Sequence, residues 1–116
     1  LVHDGLLIVD AGGPGASTLA LKLASGELAW KAGDREAGYS APIAFAHEGR
    51  EVFAMFKGDA LVALDARDGR ELWAQPWETR DFCNVATPVR ATERLFVSST
   101  GTGGAAMFAW RGPSAE

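Results

Sequence analysis

The sequence predicts an all-β fold made of repeated four-stranded antiparallel units, and two observations lead to this prediction. The segment ALKLASGELAW at 20–30 is followed 43 positions later by the similar segment ALDARDGRELW at 63–73. Short apolar runs with an alternating pattern lie between clusters of Gly, Asp and Ser, which is typical of strands. A repeat of this length indicates supersecondary units that bury their apolar faces against one another.

The individual strands follow from the alternation and from where it stops. Apolar residues alternate with others at 18–23, 51–56, 59–65 and 94–99. A helix over 18–30 would fit the Ala and Leu content, but Ser25-Gly26 and Asp68-Gly69 interrupt the two copies at the same place. Because Asp-Gly is a strong hairpin signal, we expect a two-residue turn there. The predicted strand pairs are 18–23 with 27–31 and 60–65 with 70–74.

The segments between these hairpins also repeat. Pro42 and Pro88 each precede an apolar strand, where proline is tolerated because its missing N–H can lie outside the ladder. Four-stranded antiparallel sheets at this spacing are typical of β-propeller blades. We therefore expect one partial β-propeller domain over 1–116. Its predicted units are a partial blade of three strands at 1–31, a complete blade at 41–75 and a partial blade of three strands at 84–110, followed by a polar end at 111–116.

Composition and charge exclude several classes of function. Apolar residues make up 47% and charged residues 22% of the 116 residues, which is normal for a globular domain. The net charge is −4 and the 11 Lys and Arg are scattered, so nucleic acid is not an expected partner. No apolar run approaches the roughly 20 residues of a membrane helix, so no membrane insertion is expected. The start of the chain has no signal-peptide pattern and no initiator Met, and we expect a segment of a longer protein.

The candidate chemical motifs are weak. The glycine pattern G-x-G-x-x-A at 101–106 follows a strand, but a dinucleotide site would also need a helix and a later acidic residue. A nucleotide-binding α/β domain would contain substantial helix. His3 and His47 each stand beside an acid in a predicted solvated loop, and metal sites need clustered ligands.

The remaining polar candidates have simple structural interpretations. Asp65 and Asp68 flank a predicted turn, where Asp side chains bind backbone N–H groups. Cys83 is the single cysteine, so an intrachain disulfide and a Cys-rich zinc site are excluded. We expect Cys83 to be a partly buried apolar residue rather than a nucleophile.

The string Ala63-x-Asp65-x-x-Asp68-Gly69-x-x-x-Trp73 resembles the tryptophan-docking motif of pyrroloquinoline quinone-like (PQQ-like) β-propeller repeats. The family usually has Thr where Asp68 stands. The copy at 20–30 keeps the Ala, Gly and Trp but has Lys and Ser at the Asp and Thr positions. The segments 38–42 and 81–88 are similar to the family's approach to the innermost strand. The resemblance covers nearly the whole chain and implies about two and a half blades.

The resemblance also implies roles for particular residues. Trp30 and Trp73 would lie flat between neighbouring blades, and Gly26 and Gly69 would supply the left-handed turn conformation. A tryptophan stacked on a ligand is the alternative. The family geometry would place four further residues near the central channel, or else they satisfy backbone groups there: Tyr39, Ser40, Asp81 and Asn84.

For function, the resemblance implies a non-catalytic binding or scaffold segment of a larger exported bacterial protein, periplasmic or extracellular. Its expected partners are the remaining blades or a self-assembly that completes the ring, and a protein partner at the loops. No catalytic, cofactor-binding or metal residue is expected within the segment. The alternative is a fragment of a PQQ-dependent quinoprotein dehydrogenase, whose PQQ and calcium would be bound by residues outside this segment. A single cysteine cannot provide the adjacent-cysteine disulfide of many such enzymes.

Overall fold

The computed structural model describes residues 1–100 and 104–110, which form three antiparallel sheets. We call these sheets blades 1, 2 and 3. The strands of blade 1 are β1 (Val2–His3), β2 (Leu6–Gly13), β3 (Ala16–Lys22) and β4 (Leu28–Ala32). Those of blade 2 are β5 (Ile43–His47), β6 (Arg50–Phe56), β7 (Ala60–Asp65) and β8 (Glu71–Pro76). Those of blade 3 are β9 (Val89–Ala91), β10 (Arg94–Ser99) and β11 (Gly104–Ala109).

Each blade is a meander in which every strand pairs with its neighbour in sequence. The predicted all-β fold of four-stranded antiparallel blades is confirmed. Blade 1 contains the two-residue strand Val2–His3 in addition to the three strands expected from the sequence. The one helical element of the described residues is a 3₁₀ turn at Arg80–Phe82.

The meander places the connections at two opposite ends of the blades. The segments 33–42 and 77–88, which join one blade to the next, share one end with the turn at 57–59, and we call it the linker end. The turns at 48–49 and 66–69 share the other end, which we call the hairpin end. Contacts between blades therefore join residues that lie at the same end.

The repeated hairpins have four-residue loops, so the prediction of a two-residue turn is wrong. In blade 2, Asp65 N–H donates to Arg70 O and Gly69 N–H donates to Asp65 O, both at 2.8 Å. Blade 1 has the same two bonds at the same lengths. The longer loop is stabilised because the Asp65 carboxylate accepts the Arg67 N–H at 2.9 Å. Gly26 and Gly69 end their loops with φ of 74° and 75°, a conformation that glycine adopts readily.

Each repeated tryptophan follows a β-bulge. Trp30 lies opposite Ala20 and Trp73 lies opposite Ala63. In both blades the register shifts by one residue immediately before the tryptophan. A bulge bends its strand and redirects the next side chain, so both copies reorient their indole rings in the same way.

The apolar core lies between the sheets rather than within one of them. Blade 2 is covered on both sides, and all six residues of β7 are buried. Its two faces pack against the inward faces of blades 1 and 3, which is the way stacked sheets form a core. The buried residues toward blade 1 are Ile8, Ala20 and Phe53, with Met55, Ala60, Val62 and Leu64. Those of the larger cluster with blade 3 are Phe45, Val52, Ala54, Phe56, Leu61, Ala63, Leu95, Val97 and Trp110.

Candidate functional site

The contact between blades 1 and 2 is centred on Trp30. The ring is half-buried on β4, and its Nε1 donates to the Ala66 carbonyl of blade 2 at 3.2 Å. A Cβ placed on Gly69 would overlap the Cζ3 and Cε3 atoms of the same ring. The indole therefore lies directly against the backbone of the blade 2 loop, and Gly69 is the residue that leaves room for it.

The contact between blades 2 and 3 is aromatic. Trp73 is half-buried, with its ring centroid 5.8 Å from that of Trp110 and 6.3 Å from that of Phe108. Trp77 also packs edge-on against Phe108 at 5.9 Å, and its Nε1 donates to Ser99 Oγ at 2.9 Å. Trp77 and Trp110 have no counterpart in the repeated segment, so the repeat predicts no role for either.

A buried ion pair joins blades 1 and 2 at the linker end. Lys57 is 2% exposed, and its Nζ lies 2.5 Å from Asp10 Oδ1 and 2.9 Å from both the carbonyl and the hydroxyl of Ser17. The other Asp10 oxygen accepts the Gly38 N–H at 3.0 Å. Burial lowers the pKa of the Lys57 ammonium group, while the bond and charge of Asp10 oppose that shift. Every polar atom of this pair thus has a partner, as a buried charge requires.

Arg35 fixes the first linker to blade 2. Its guanidinium binds both oxygens of Glu71 at 2.8 and 2.9 Å and reaches Asp59 at 2.9 Å. The hydrogen bond to Glu71 is the largest influence that raises the pKa of Arg35, so its charge is retained at any ordinary pH. These contacts with Glu71 and Asp59 fix the path of the linker that leads to Tyr39.

Two of the four residues predicted near the channel bind backbone groups. Asn84 is fully buried, and its Nδ2 lies 2.8 Å from Lys57 O and 3.3 Å from both Gly58 O and Trp77 O. Ser40 Oγ donates to a main-chain carbonyl at the end of β6, at 3.1 Å. Asn84 thereby ties the second linker to the turn of blade 2.

The other two residues, Tyr39 and Asp81, are exposed beside them. The Tyr39 N–H donates to Asn84 O at 2.9 Å, so the two linkers are in direct contact. Asp81 and Phe82 have φ of 58° and 53°, and two consecutive non-glycine residues in this region indicate a strained loop held by its surroundings. The structure brings the four residues to one end of the blades, and their orientation toward a channel stays a prediction.

Three large apolar side chains are exposed on this end: Tyr39 at 70%, Phe82 at 49% and Val85 at 57%. We call them the linker-end patch. A Cβ on Gly58 would lie 3.0 Å from both Ala37 O and Phe82 Cβ, so both linkers pack against the turn at 57–59 of blade 2. The sequence indicated this region through Tyr39 and Asp81 but did not identify Phe82 or Val85.

Asp65 and Asp68 have the turn roles that the sequence predicts. Asp68 Oδ1 accepts the Arg70 N–H at 2.9 Å. The fully buried Asp65 carboxylate binds Arg67 Nε at 3.0 Å and Nη2 at 2.8 Å. The hydrogen bond from Arg67 lowers the pKa of Asp65 to about 2, so this carboxylate is ionised at neutral pH and is not a proton donor.

The two histidines are not solvated loop residues, so that prediction is wrong. His3 and His47 end the first strands of their blades, and their side chains are 28% and 13% exposed. His3 Nε2 lies 2.8 Å from Glu51 Oε1 of blade 2, and His47 Nδ1 lies 3.2 Å from Glu93 Oε2 of blade 3. Both rings are covered because each packs edge-on against an aromatic side chain of the next blade.

The described residues of the other candidate motifs are not arranged to bind a ligand. Within 1–100 and 104–110, no three His, Cys, Asp or Glu side chains are arranged to hold a metal ion. Residues 101–103 of the glycine pattern and the predicted polar end at 111–116 lie outside the described residues, while Gly104 begins strand β11. Cys83 is half-buried as predicted, with Sγ 3.6 Å from Asp81 O. In the described part of the chain, no helix has the length and apolarity needed to cross a membrane.

The chain is similar to known proteins over nearly its whole length. A family model described as outer membrane protein assembly factor BamB matches residues 1–115. No curated protein sequence gives a significant match. The crystal structure of the computationally designed Ika4 protein superposes with a TM-score of 0.56 over 95% of this chain and 63% of that chain, at 8% identity. This identity shows a shared fold alone, and the chain spans 63% of the designed protein's length. The chain belongs to the PQQ-like β-propeller repeat family described as outer membrane protein assembly factor BamB.

Proposed function

We propose that the chain is a non-catalytic propeller segment that acts as a scaffold and as a protein-binding module of a larger exported bacterial protein. The observation that carries the proposal is the linker-end patch, in which exposed apolar side chains stand on two linkers, the second of which is anchored by the fully buried Asn84. Single exposed apolar residues are common on protein surfaces. Here Tyr39, Phe82 and Val85 come from two linkers that contact each other, and clustered exposure of this kind is typical of interaction sites.

Rigid support of the patch favours a binding role. Asn84 bonds three carbonyls of blade 2 and the following segment, while Asp81 and Phe82 keep left-handed backbone conformations. Binding residues are commonly found on loops held by a rigid scaffold. The family description names an assembly factor of the outer membrane, which supports a periplasmic protein partner.

The scaffold role is supported by the interblade contacts. Trp30 occupies the space that Gly69 leaves open, whereas a Cβ on Gly26 would meet no atom within 4 Å. We propose that the tryptophan of a further blade lies against Gly26, as Trp30 lies against Gly69. On the opposite side, Val89 and Met107 of blade 3 are 56% and 49% exposed, and a further blade would cover them. The remaining blades of a parent chain, or another copy of this one, would supply both the tryptophan against Gly26 and the cover over Val89 and Met107.

The Asn84 side chain gives no support to a quinone site in this segment. A calcium-bound quinone would need free carboxylate and amide oxygens. The Asn84 Oδ1 already accepts the Thr79 hydroxyl at 3.2 Å, and its Nδ2 is used by main-chain carbonyls. We therefore propose no resident cofactor for this segment. Incubation of the full-length protein with PQQ and calcium, followed by desalting, tests the non-catalytic role, because a retained quinone absorbance would favour the quinoprotein alternative.

The binding role is tested by site-specific crosslinking in the cell envelope. A photoreactive phenylalanine analogue replaces Tyr39 or Phe82, and a control carries it at the exposed Lys31 on β4. We expect a discrete protein adduct from positions 39 and 82 and none from position 31. The adduct from position 39 should weaken when Phe82 is changed to Ala, while the circular dichroism spectrum stays unchanged. Equal crosslinking at all three positions would refute a binding role for the patch.

A further inference from the structure

A small cavity between blades 2 and 3 is lined by buried nitrogen atoms that lack hydrogen-bond partners. It has a volume of about 80 Å³, lies at the hairpin end and is bounded by His47, Glu48, Arg50, Val52 and Trp110. Among the described residues, His47 Nε2, Arg50 Nη1 and Trp110 Nε1 are buried and have no hydrogen-bond partner. Trp110 itself is 3% exposed. Because buried N–H groups are nearly always paired, the two unpaired donors of Arg50 and Trp110 beside one cavity indicate a site for an occupant.

The chemistry of these nitrogens determines the class of the occupant. Indole and guanidinium N–H groups donate and cannot accept, so Arg50 and Trp110 both require an acceptor. Arg50 is also a cation, and hydrogen bonds between a cation and an oxyanion are among the strongest in proteins. We infer that this cavity binds a small carboxylate, either free or at the end of a peptide, through the N–H groups of Arg50 and Trp110. The volume is several times the roughly 10–15 Å³ that a cavity needs to hold one water.

Arg50 is available to such a ligand because its own acidic neighbour is already paired. Asp65 Oδ2 lies 3.5 Å from Arg50 Nη1, whereas Arg67 binds both Asp65 oxygens at hydrogen-bond distance. Arg67 therefore satisfies most of the acceptor capacity of Asp65. The Arg50 group that lines the cavity keeps a free N–H.

The other carboxylates near the cavity limit the affinity without closing the site. Glu48 Oε1 is 3.9 Å from His47 Nε2, which is too far for a hydrogen bond, and its side chain is 80% exposed. Glu93, on the Nδ1 side of His47, is 64% exposed. Charges in contact with water are screened, so their repulsion of an anion is weak. A weak, saturable site is expected.

Indole NMR signals provide the test. The protein has four tryptophans, whose side-chain N–H signals are assigned by single replacement with Phe. Trp30 and Trp77 already donate to Ala66 O and Ser99 Oγ, so their signals serve as internal controls. Titration with sodium acetate should move the Trp110 signal saturably. Acetamide, the neutral analogue, and sodium chloride at equal ionic strength should not.

Variants and a second ligand complete the experiment. R50Q should weaken acetate binding about tenfold, since it removes a charge-assisted hydrogen bond. R94Q removes the same charge from an exposed arginine of blade 3 outside the cavity and should leave the titration unchanged. An acetylated dipeptide with a free carboxyl end, compared with its amide, shows whether a peptide end also enters. Loss of binding in both variants, or a Trp110 signal that no carboxylate moves, would overturn the inference, and the second result would leave water as the occupant.

Discussion

Adding one methyl group at Gly69 should destabilise the protein much more than adding the same group at Gly26. The two glycines end equivalent loops and have φ of 75° and 74°, so the backbone cost of alanine is nearly the same at both. They differ in what the new Cβ would meet. At Gly69 it would overlap the Trp30 ring and lie 2.9 Å from Ala32 Cβ, and at Gly26 it would meet nothing within 4 Å. The pair therefore isolates the contact between blades 1 and 2.

The expected magnitudes follow from these two terms. A left-handed conformation costs a non-glycine residue about 1–2 kcal/mol, which is the full expected effect of G26A. Overpacking adds about 1–3 kcal/mol, so G69A should cost about 2–5 kcal/mol in total. The difference between the variants, about 1–3 kcal/mol by the same estimate, measures how firmly Trp30 is held.

Urea denaturation followed by circular dichroism measures both free energies of unfolding, with the midpoints compared at a common m-value. A variant that lacks the Trp30 ring shows whether the extra cost of G69A comes from Trp30. W30L removes the indole ring, so in that background the cost of G69A should fall toward that of G26A, and the difference that remains measures the contact with Ala32 Cβ. Equal costs of G26A and G69A in the unmodified protein would refute the proposed packing of Trp30 on blade 2.

Three further predictions concern buried polar groups. K57M should cost about 3–5 kcal/mol because it leaves the Asp10 carboxylate buried without its cation. In urea denaturation, the double variant K57M/D10N should lose less free energy of unfolding than the two single variants together. The folded-state pKa of Asp65, about 2, is below its ordinary 3.8, so its stabilisation is present above pH 4 and is lost as the pH falls through 2. R67A should reduce this loss of stability at low pH, which is measured as the urea midpoint of unfolding at a series of acid pH values. N84A should cost roughly 2 kcal/mol, at about 1 kcal/mol for each of the two Nδ2 hydrogens that the three carbonyls share, and should speed amide exchange at Tyr39.

The repeat predicted the fold because a repeated sequence imposes the same local structure twice. The alternation of Leu19, Leu21 and Leu23, with the matching run before Asp65, defines strands by side-chain period alone. The glycines at 26 and 69 marked the turns for the same reason. The loop length was mistaken because the Asp-Gly pair does not show which main-chain groups close the loop, and both copies close it with the same two bonds across four residues. The bulge before each tryptophan likewise has no signal in the alternation.

The contacts between blades could not be predicted because their partners are distant in sequence. Asp10 and Lys57 are brought together only when β2 stacks on the turn after β6. A partial signal existed, since Lys57 directly follows a run of buried apolar residues and so required a buried partner. His47 and Trp110 meet through the third blade, whose sequence departs from the repeat. The candidate site was located by the linker motifs, but the exposure of Phe82 depends on a backbone conformation that no residue type there signals.

The stacking of each blade on the next through an indole ring is tested most directly by an NMR measurement on the unmodified protein. The Gly69 Hα protons should give NOEs to the Trp30 ring and should be shifted by its ring current, whereas the Gly26 Hα protons should give none to Trp30. Gly69 signals at unperturbed shifts and without cross-peaks to Trp30 would contradict the proposed contact between the blades.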